Sequence, residues 1–295
     1  LGATIHVDEP NGIAILARAL AGLDPATLRG RILCVPVQHP LAFQADHRLP
    51  LSQFMKSPLD QAPGDAWICF PGKAGGNLAE RIAFQLFGLI RQADFAIDIH
   101  TPTRGGRYLP IAILPGAGLG PAGDAAETLA TQFGCGCVIQ PSQGGYVVPG
   151  VLCVEATRAG VPAFTFEIGE GGRIDEESTE TGARCVRNAL RALGMVDGQP
   201  EAPASSHRMR DFLGLRASRG GLLRTVAELG AEVQAGDALA EVSDIWGRVL
   251  ETIRAPEAGV FVRATTLTTV SSGERAATLG LLQAPSFPAH QRQQR

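Results

Sequence analysis

Short apolar runs alternate with longer amphipathic stretches along residues 1–197 of the chain. The short runs have the length and composition of buried strands, whereas the longer stretches place apolar residues every three to four positions, as helices do. Regular alternation of the two predicts an α/β domain in which a parallel or mixed sheet is flanked by helices. The predicted strands are 1–5, 32–37, 95–99, 111–114 and 161–168, and the predicted helices are 11–22, 78–91, 124–133 and 176–193.

The pattern changes beyond residue 197. Residues 198–206 are polar and rich in turn-forming types, which indicates a linker. Short apolar runs then recur at about ten-residue spacing between glycine turns, and this spacing predicts a small all-β domain over 207–284. The polar tail over 285–295 is expected to be frayed. The predicted strands of this domain are 220–224, 238–242, 249–253 and 259–262.

The C-terminal domain resembles the biotinyl/lipoyl carrier fold. The similarity rests on L-G-A-E-V-Q-A-G-D-A-L-A-E-V at 229–242 and A-P-E-A-G-V at 255–260. A carrier attaches its cofactor to a lysine at a hairpin tip. Lys56 and Lys73 are the only lysines of the chain, so covalent carriage is excluded and the resemblance concerns shape alone.

Composition narrows the class of partner. Of the 295 residues, 45 % are hydrophobic and 19 % charged, and the net charge of −3 gives no reason to expect binding to phosphate backbones or anionic lipid. No apolar run approaches the roughly 20 residues that span a bilayer. The six cysteines lack C-x-x-C spacing and a regular disulfide framework, which favours buried, reduced thiols in a cytoplasmic protein. We therefore expect a small-molecule substrate, without nucleic acid or membrane as partner.

The segment His6-Val-Asp-Glu9 is the first candidate for metal chemistry. It lies between the first predicted strand and the first predicted helix. A histidine and a carboxylate three residues apart on a turn can reach one metal ion. Junctions of this kind also lie where open α/β sheets bind their ligands. The pair alone is a weak motif.

Asp98 and His100 end the apolar strand predicted over 95–99. With a two-residue period both side chains point to one face of the sheet, and Ile97 and Ile99 to the other. Burial of a carboxylate and an imidazole is costly unless something pairs them. A metal ion on His100, with Asp98 behind it, offsets that cost. The alternative is a simple Asp–His hydrogen bond at a strand end.

Glu167 ends another apolar strand, before a glycine-rich turn. It shares a face with Ala163 and Thr165, opposite Phe164 and Phe166. A carboxylate beside a metal-activated water can accept its proton and pass it to a leaving nitrogen. Two alternatives stay open: Glu167 as a solvent-facing strand end, and Glu170, within the turn, as the base.

These segments together resemble the succinylglutamate desuccinylase/aspartoacylase family of the zinc carboxypeptidase clan. The resemblance implies a zinc-carboxypeptidase-like fold and one zinc ion per chain, held by His6, Glu9 and His100. It also implies Glu167 as catalytic base, Asp98 as an outer contact, and hydrolysis of a small N-acylated amine or amino acid. A homo-oligomer is compatible with it. The matching segments are I-H-V-D-E-P-N-G at 5–12, H-P-L-A-F at 39–43, F-P-G at 70–72, D-I-H-T-P-T at 98–103 and F-T-F-E-I-G at 164–169.

The resemblance weakens at the substrate clamp. The family carries D-L-N-R-x-F-P-G, whose Asn and Arg hold a substrate carboxylate, and here Trp67 and Ile68 occupy those positions. An isoleucine cannot replace a bidentate guanidinium. Either the substrate lacks that carboxylate or another arginine binds it. The candidates for substrate binding are Arg104, Arg107 and Tyr146, with Arg48 and Arg158 as weaker ones.

Two other classes of function remain open from the sequence. One is a metallocarboxypeptidase, which the clan permits but which the loss of the clamp arginine disfavours. The other is a zinc-retaining binding protein without catalysis, which the same loss of the clamp motivates.

Overall fold

A computed structural model describes residues 1–46 and 65–283. No helix in these two ranges is long and apolar enough to cross a membrane. Arg48 and the tail over 285–295 lie outside them. The helices are α1 (Asn11–Leu20), α2 (Pro40–Ala45), a 3₁₀ turn (Ala66–Ile68), α3 (Leu78–Ile90), α4 (Gly120–Gln132), α5 (Leu152–Arg158) and α6 (Glu176–Ala192). The strands are β1 (Gly2–Ala3), β2 (Ala96–His100), β3 (Gly106–Ile113), β4 (Cys137–Ile139), β5 (Ala163–Glu170), β6 (His207–Arg216), β7 (Gly221–Thr225), β8 (Glu232–Val233), β9 (Ala238–Ser243), β10 (Val249–Arg254), β11 (Gly259–Thr265), β12 (Thr269–Val270) and β13 (Arg275–Leu282).

The main sheet has nine strands in the order β1-β2-β5-β3-β4-β6-β13-β11-β8. Strands β1, β2 and β5 are parallel, and β3 runs antiparallel to β5 and parallel to β4. The prediction of a mixed sheet flanked by helices is therefore confirmed.

Helices cover both faces of the part of the sheet formed by β2 and β5. One face packs on α1, α4 and α6, and the other on α3 and α5. The first core contains Ile15, Leu16, Ile97, Ile99, Leu129, Phe164, Phe166 and Val186. The second contains Ala83, Leu86, Ala96, Leu152 and Ala163. The predicted alternation of side chains along β2 and β5 is thus confirmed, with Phe164 and Phe166 opposite Ala163.

The residues beyond 206 form strands in two groups. Four of them, β6, β8, β11 and β13, extend the main sheet, because β6 pairs with β4 and β11 pairs with β3. The other four form a second sheet in the order β10-β9-β7-β12. The prediction of a separate all-β domain is not confirmed, and a boundary at 198–206 stays a prediction. The hairpin between β9 and β10, where a carrier would hold its lysine, carries exposed Trp246.

Several element predictions need correction. The predicted strand over 32–37 is reduced to a single bridge between Gly2 and Val35. Pro36 follows, and because proline has no N–H it cannot extend the ladder. The short elements β4 and α5 and the long strands β6 and β13 were not predicted. All six cysteines lie in the described ranges and form no disulfide there.

Phe133 fixes the orientation of β5. Its ring lies 5.1 Å from that of Phe164 and 4.7 Å from that of Phe166, both edge to face. All three side chains are fully buried. Since Phe166 precedes Glu167, this packing determines which way the glutamate points.

We expect Phe133→Ala to lower the free energy of unfolding by about 3–5 kcal/mol, because it leaves a cavity in the core. Phe84→Ala is the matched control, since Phe84 is 43 % exposed, and it should cost less than about 1 kcal/mol. Denaturant unfolding monitored by circular dichroism measures both. Equal losses in the two variants would contradict this account of the core.

Candidate metal centre

His6, Glu9 and His100 converge although they are far apart in sequence. His6 Nδ1 lies 2.8 Å from Glu9 Oε1, and His100 Nδ1 lies 2.7 Å from Glu9 Oε2. One potential ligand atom from each residue lies within 4.8 Å of the others. All three side chains are buried. Two nitrogens and one oxygen at this spacing are a donor set that suits zinc with a further position for water.

The local fold explains this convergence. His6 and Glu9 lie on the turn between β1 and α1, where the Glu9 N–H donates to the His6 carbonyl at 3.2 Å. Thr4 adopts a positive φ of 53° at the start of this turn, and its hydroxyl donates to the Glu9 carbonyl. His100 is the last residue of β2, which pairs with β1. Both parts of the cluster therefore come from the carboxyl ends of neighbouring parallel strands, the usual ligand-binding edge of such sheets.

A second carboxylate holds each imidazole from behind. His100 Nε2 lies 2.8 Å from Asp98 Oδ2, and His6 Nε2 lies 3.1 Å from both oxygens of Asp65. Carboxylates in this position fix the tautomer and orientation of metal-binding histidines. The Asp98–His100 hydrogen bond is thus present, but it leaves Nδ1 of His100 directed at Glu9. A metal-binding role of His100 stays a prediction.

The electrostatics of the cluster favour positive charge at its centre. Burial alone would lower the pKa of His6, but the Glu9 carboxylate and the hydrogen bond to Asp65 outweigh it and raise the pKa to about 9. Burial would likewise raise the pKa of Glu9, and the two imidazoles instead hold it well below its usual range. The buried carboxylates are thus stabilised by positive charge between them. A divalent cation would supply that positive charge, and its binding would displace protons from the histidines.

Glu167 lies beside this cluster on the next strand. It is the parallel partner of His100 in the β2–β5 register and is only 4 % exposed, so it is not a solvent-facing strand end. Its Oε1 accepts a hydrogen bond from the Tyr146 hydroxyl at 2.7 Å. Its buried Oε2 has no hydrogen-bond partner among the described residues. Burial, followed by the nearby Glu9 carboxylate, raises the pKa of Glu167 to about 7.

Glu170, the alternative base, does not line this cavity. Its carboxylate lies 3.6 Å from Nε of Arg173. The cavity beside Glu167 has a volume of about 160 Å³. It is lined by His6, Glu9, Asp65, Trp67, His100, Pro102, Thr103, Tyr108, Tyr146, Glu167, Arg263 and Arg275.

Trp67 is part of the wall next to the two histidines. Its ring centroid lies 5.9 Å from that of His6 and 5.4 Å from that of His100. Its Nε1 donates to Asp98 Oδ2 at 3.2 Å. The residue in the family's Asn position therefore supports the imidazoles, whereas Ile68 is 42 % exposed and outside the cavity lining.

The structure separates the predicted substrate-binding residues. Tyr146 lines the cavity, but Arg104 and Arg107 do not. Arg104 Nη2 pairs with Asp46 at 2.9 Å, and Arg107 Nη2 lies 3.4 Å from Glu177. Arg158, one of the weaker candidates, pairs with Glu155.

Sequence reasoning missed Asp65, Arg263 and Arg275. Asp65 stands first in the segment compared with the family's D-L-N-R-x-F-P-G, so a signal for it was present. It also caps the 3₁₀ turn by accepting a hydrogen bond from the Trp67 N–H. Arg263 and Arg275 lie on β11 and β13, in the part of the chain predicted to be a separate domain, and no local motif marks them.

Comparison with known proteins gives a consistent picture. The family model for the succinylglutamate desuccinylase/aspartoacylase catalytic domain matches residues 1–193. Over 250 residues the chain is 27 % identical to the N-alpha-acetyl-L-2,4-diaminobutyric acid deacetylase of Halomonas elongata. The matched region covers 81 % of this chain and 68 % of that protein.

Two solved structures are similar over nearly the whole chain. One is the product-bound ectoine utilization protein EutE of Ruegeria pomeroyi, with a TM-score of 0.81 and 25 % identity, covering 95 % of this chain and 84 % of that one. The other is a succinylglutamate desuccinylase from a Silicibacter species, with a TM-score of 0.80 and 25 % identity, covering 96 % of this chain and 84 % of that one.

We expect the purified protein to bind one zinc ion per chain, and Asp65→Asn and Asp98→Asn to weaken that binding by about 10–100-fold, because each removes the carboxylate that orients a histidine. Competition with a chromophoric chelator measures the affinity. Asp94→Asn is the control, since Asp94 is exposed and precedes β2. Unchanged affinity in both test variants would remove the outer carboxylates from this account.

Proposed function

Because the chain belongs to the succinylglutamate desuccinylase/aspartoacylase family, we propose that it hydrolyses the amide bond of a small N-acylated amino acid or amine. The convergence of two imidazoles and a carboxylate beside a buried glutamate, in one cavity, is the observation that carries the proposal. The relative from Halomonas elongata is named as a deacetylase of an N-acetylated diamino acid, which supports an N-acyl amino acid as substrate.

In this proposal His6, Glu9 and His100 hold zinc, and Asp65 and Asp98 keep the two imidazoles in position. When bound there, zinc lowers the pKa of a water ligand and polarises the carbonyl of the amide. The presence of three protein ligands, rather than four, agrees with a catalytic and not a purely structural site.

Glu167 acts as general base and then as general acid. Its carboxylate accepts a proton from the water that attacks the amide carbon. The same proton then passes to the leaving nitrogen and the C–N bond breaks. The second proton of the water also ends on the amine, so the products are a carboxylate and an ammonium group. The pKa near 7 suits this role, because a group titrating near neutral pH can both accept and return a proton.

Tyr146 keeps Glu167 in one orientation. Its hydroxyl donates to Oε1, and its ring meets that of Trp67 at 5.5 Å. The proton-accepting role then falls to Oε2, the buried oxygen without a hydrogen-bond partner in the described part of the chain. A hydrogen bond to the ionised form also stabilises the carboxylate, which lowers its pKa relative to burial alone.

The volume of the cavity favours a short acyl group. This volume is about 160 Å³. Such a space suits an acetyl or similarly small group.

A cytoplasmic location and a homo-oligomer remain predictions.

We expect Glu167→Gln to lower kcat about 10²–10⁴-fold while zinc content stays unchanged, because the amide cannot accept the proton. Hydrolysis of a panel of N-acetyl and N-succinyl amino acids, with metal content determined on the same samples, measures this. Glu170→Gln is the matched control, three residues along the same strand, and should retain most activity.

The same panel separates the other classes of function. Full activity of Glu167→Gln would remove this residue from the mechanism. Release of C-terminal residues from peptides, with no hydrolysis of N-acyl amino acids, would identify a metallocarboxypeptidase. Tight zinc binding without turnover of either kind, together with saturable binding of a panel member, would identify a binding protein.

We expect Tyr146→Phe to move the acid limb of the kcat/KM profile about 1 pH unit upward. Glu167 must be ionised to act as base, so activity is lost as the pH falls through its pKa. Removal of the Tyr146 hydroxyl destabilises the ionised carboxylate and therefore raises its pKa. The size of the rise follows from the free energy of one hydrogen bond to a charged group. Activity should therefore fall more at pH 6 than at pH 8. A loss of equal size at every pH would contradict this role of Tyr146.

A further inference from the structure

Three polar side chains lie in one row across the main sheet. Tyr108 of β3 is paired in register with Arg263 of β11, and Arg263 with Thr278 of β13. Side chains directly opposite each other on adjacent strands lie on the same face. Tyr108 lines the candidate metal cavity, so its row partner Arg263 points to that side as well, as the cavity lining confirms.

Two β-bulges put the arginines on this face. The β11–β13 register shifts between Phe261 and Arg263, so Val262 is an extra residue. The β13–β6 register shifts between Arg275 and Ala277, so Ala276 is an extra residue. Bulges redirect side chains and are frequent next to active sites. Without the second bulge, Arg275 and Thr278, three positions apart, would face opposite sides of the sheet.

Neither arginine forms an ion pair with a carboxylate of the described residues. Within residues 1–46 and 65–283, no acidic group lies within ion-pair distance of Arg263 or Arg275, whereas Arg104, Arg107 and Arg208 each have one. Arg263 Nη1 donates a hydrogen bond to the Thr265 hydroxyl at 3.3 Å. Arg263 is partly buried, and burial lowers its pKa despite the neighbouring Tyr108. A partly buried cation without a counter-ion is costly unless a ligand supplies the negative charge.

A second chamber adjoins the catalytic cavity at this point. It has a volume of about 310 Å³ and shares Tyr108, Tyr146 and Arg275 with the first chamber. Thr278 lines it, is 2 % exposed, and its hydroxyl has no hydrogen-bond partner in the described residues. Asp211 also lines it, but its carboxylate accepts hydrogen bonds from Ser142 and from the Phe212 N–H.

We propose that Arg263 and Arg275, with the Thr278 hydroxyl, bind a carboxylate of the substrate at the junction of the two chambers. This inference rests on the proposed function and specifies its substrate class: N-acyl amino acids with a free carboxylate. The acyl group lies in the chamber beside Glu167, and the amino-acid part extends toward the second chamber. The guanidinium groups provide directed donors for the carboxylate oxygens, and the hydroxyl offers a further donor.

The residues of this carboxylate site come from a different part of the chain than those of the family's substrate clamp. That clamp lies in the segment where Trp67 and Ile68 stand here, before α3. The arginines on β11 and β13 approach the cavity from the C-terminal part of the chain instead.

The test compares an acid with its carboxamide. The best N-acyl amino acid of the panel and its carboxamide are hydrolysed by zinc-loaded wild type, Arg263→Gln, Arg275→Gln and Thr278→Val. We expect wild type to prefer the acid, and the arginine variants to lose about 10–10²-fold in kcat/KM on the acid but little on the amide. Arg216→Gln is the control, because Arg216 is the exposed cross-strand neighbour of Arg275 and lies outside both chamber linings.

Equal losses on acid and amide in both arginine variants, or no preference of wild type for the acid, would overturn the carboxylate site. Zinc content and thermal unfolding of each variant show whether it is folded. The KM of the acid should rise more than kcat falls, since the contact is made in the ground state as well as in the transition state.

Failure of the proposed function has a different signature. If zinc-loaded wild type hydrolyses no member of the panel, calorimetric binding of Nα-acetyl-L-2,4-diaminobutyrate and its carboxamide to the same proteins decides the question. Tighter binding of the acid that is lost in Arg263→Gln supports the site without turnover. Binding that does not depend on the carboxylate, or no binding, overturns it.

Discussion

The Glu9 carboxylate lies between two imidazoles, and the rest of the site depends on this contact. One oxygen meets His6 Nδ1 at 2.8 Å and the other meets His100 Nδ1 at 2.7 Å, all within a buried region. A single carboxylate thus joins the β1–α1 turn to the end of β2. Because burial opposes every charge in the group, the arrangement is stable only when the charges compensate one another. Asp65 and Asp98 add further negative charge behind the rings, and so a cation at the centre is favoured over neutral imidazoles.

The two-residue period of strands made the central part of this site predictable. On β2 it directed Asp98 and His100 to one face and Ile97 to the other, and on β5 it directed Glu167 away from Phe166. Apolar runs that end in ionisable residues are unusual enough to mark strand ends as candidate sites. The parallel register then brings His100 opposite Glu167. These relations are local or involve neighbouring strands, which is why sequence patterns carry them.

The remaining parts depend on pairings that no local pattern encodes. Strands β6 and β13 were not predicted, and the pairing of β11 with β3 joins residues more than 150 positions apart. Arg104 and Arg107 follow His100 closely in sequence, yet they turn outward to Asp46 and Glu177. Arg263 and Arg275 reach the cavity only because bulges shift the register by one residue. Since a shift of one residue moves a side chain to the opposite face, such positions cannot be read from composition or spacing.

The substitution of Trp67 and Ile68 in the clamp segment is consistent with a cavity that takes its positive charge from elsewhere. The Trp67 indole forms part of the wall beside both histidines and donates to Asp98, so this position supports the two imidazoles. The Ile68 side chain is 42 % exposed. An arginine at this position would therefore have to turn inward to reach the cavity. Arg263 and Glu167 line the same cavity, and Tyr108 of β3 is paired with β5 on one side and β11 on the other. A carboxylate held there directs the amide toward Glu167 from the C-terminal strands. The C-terminal part of the chain would therefore act in substrate selection and not only in covering the sheet edge.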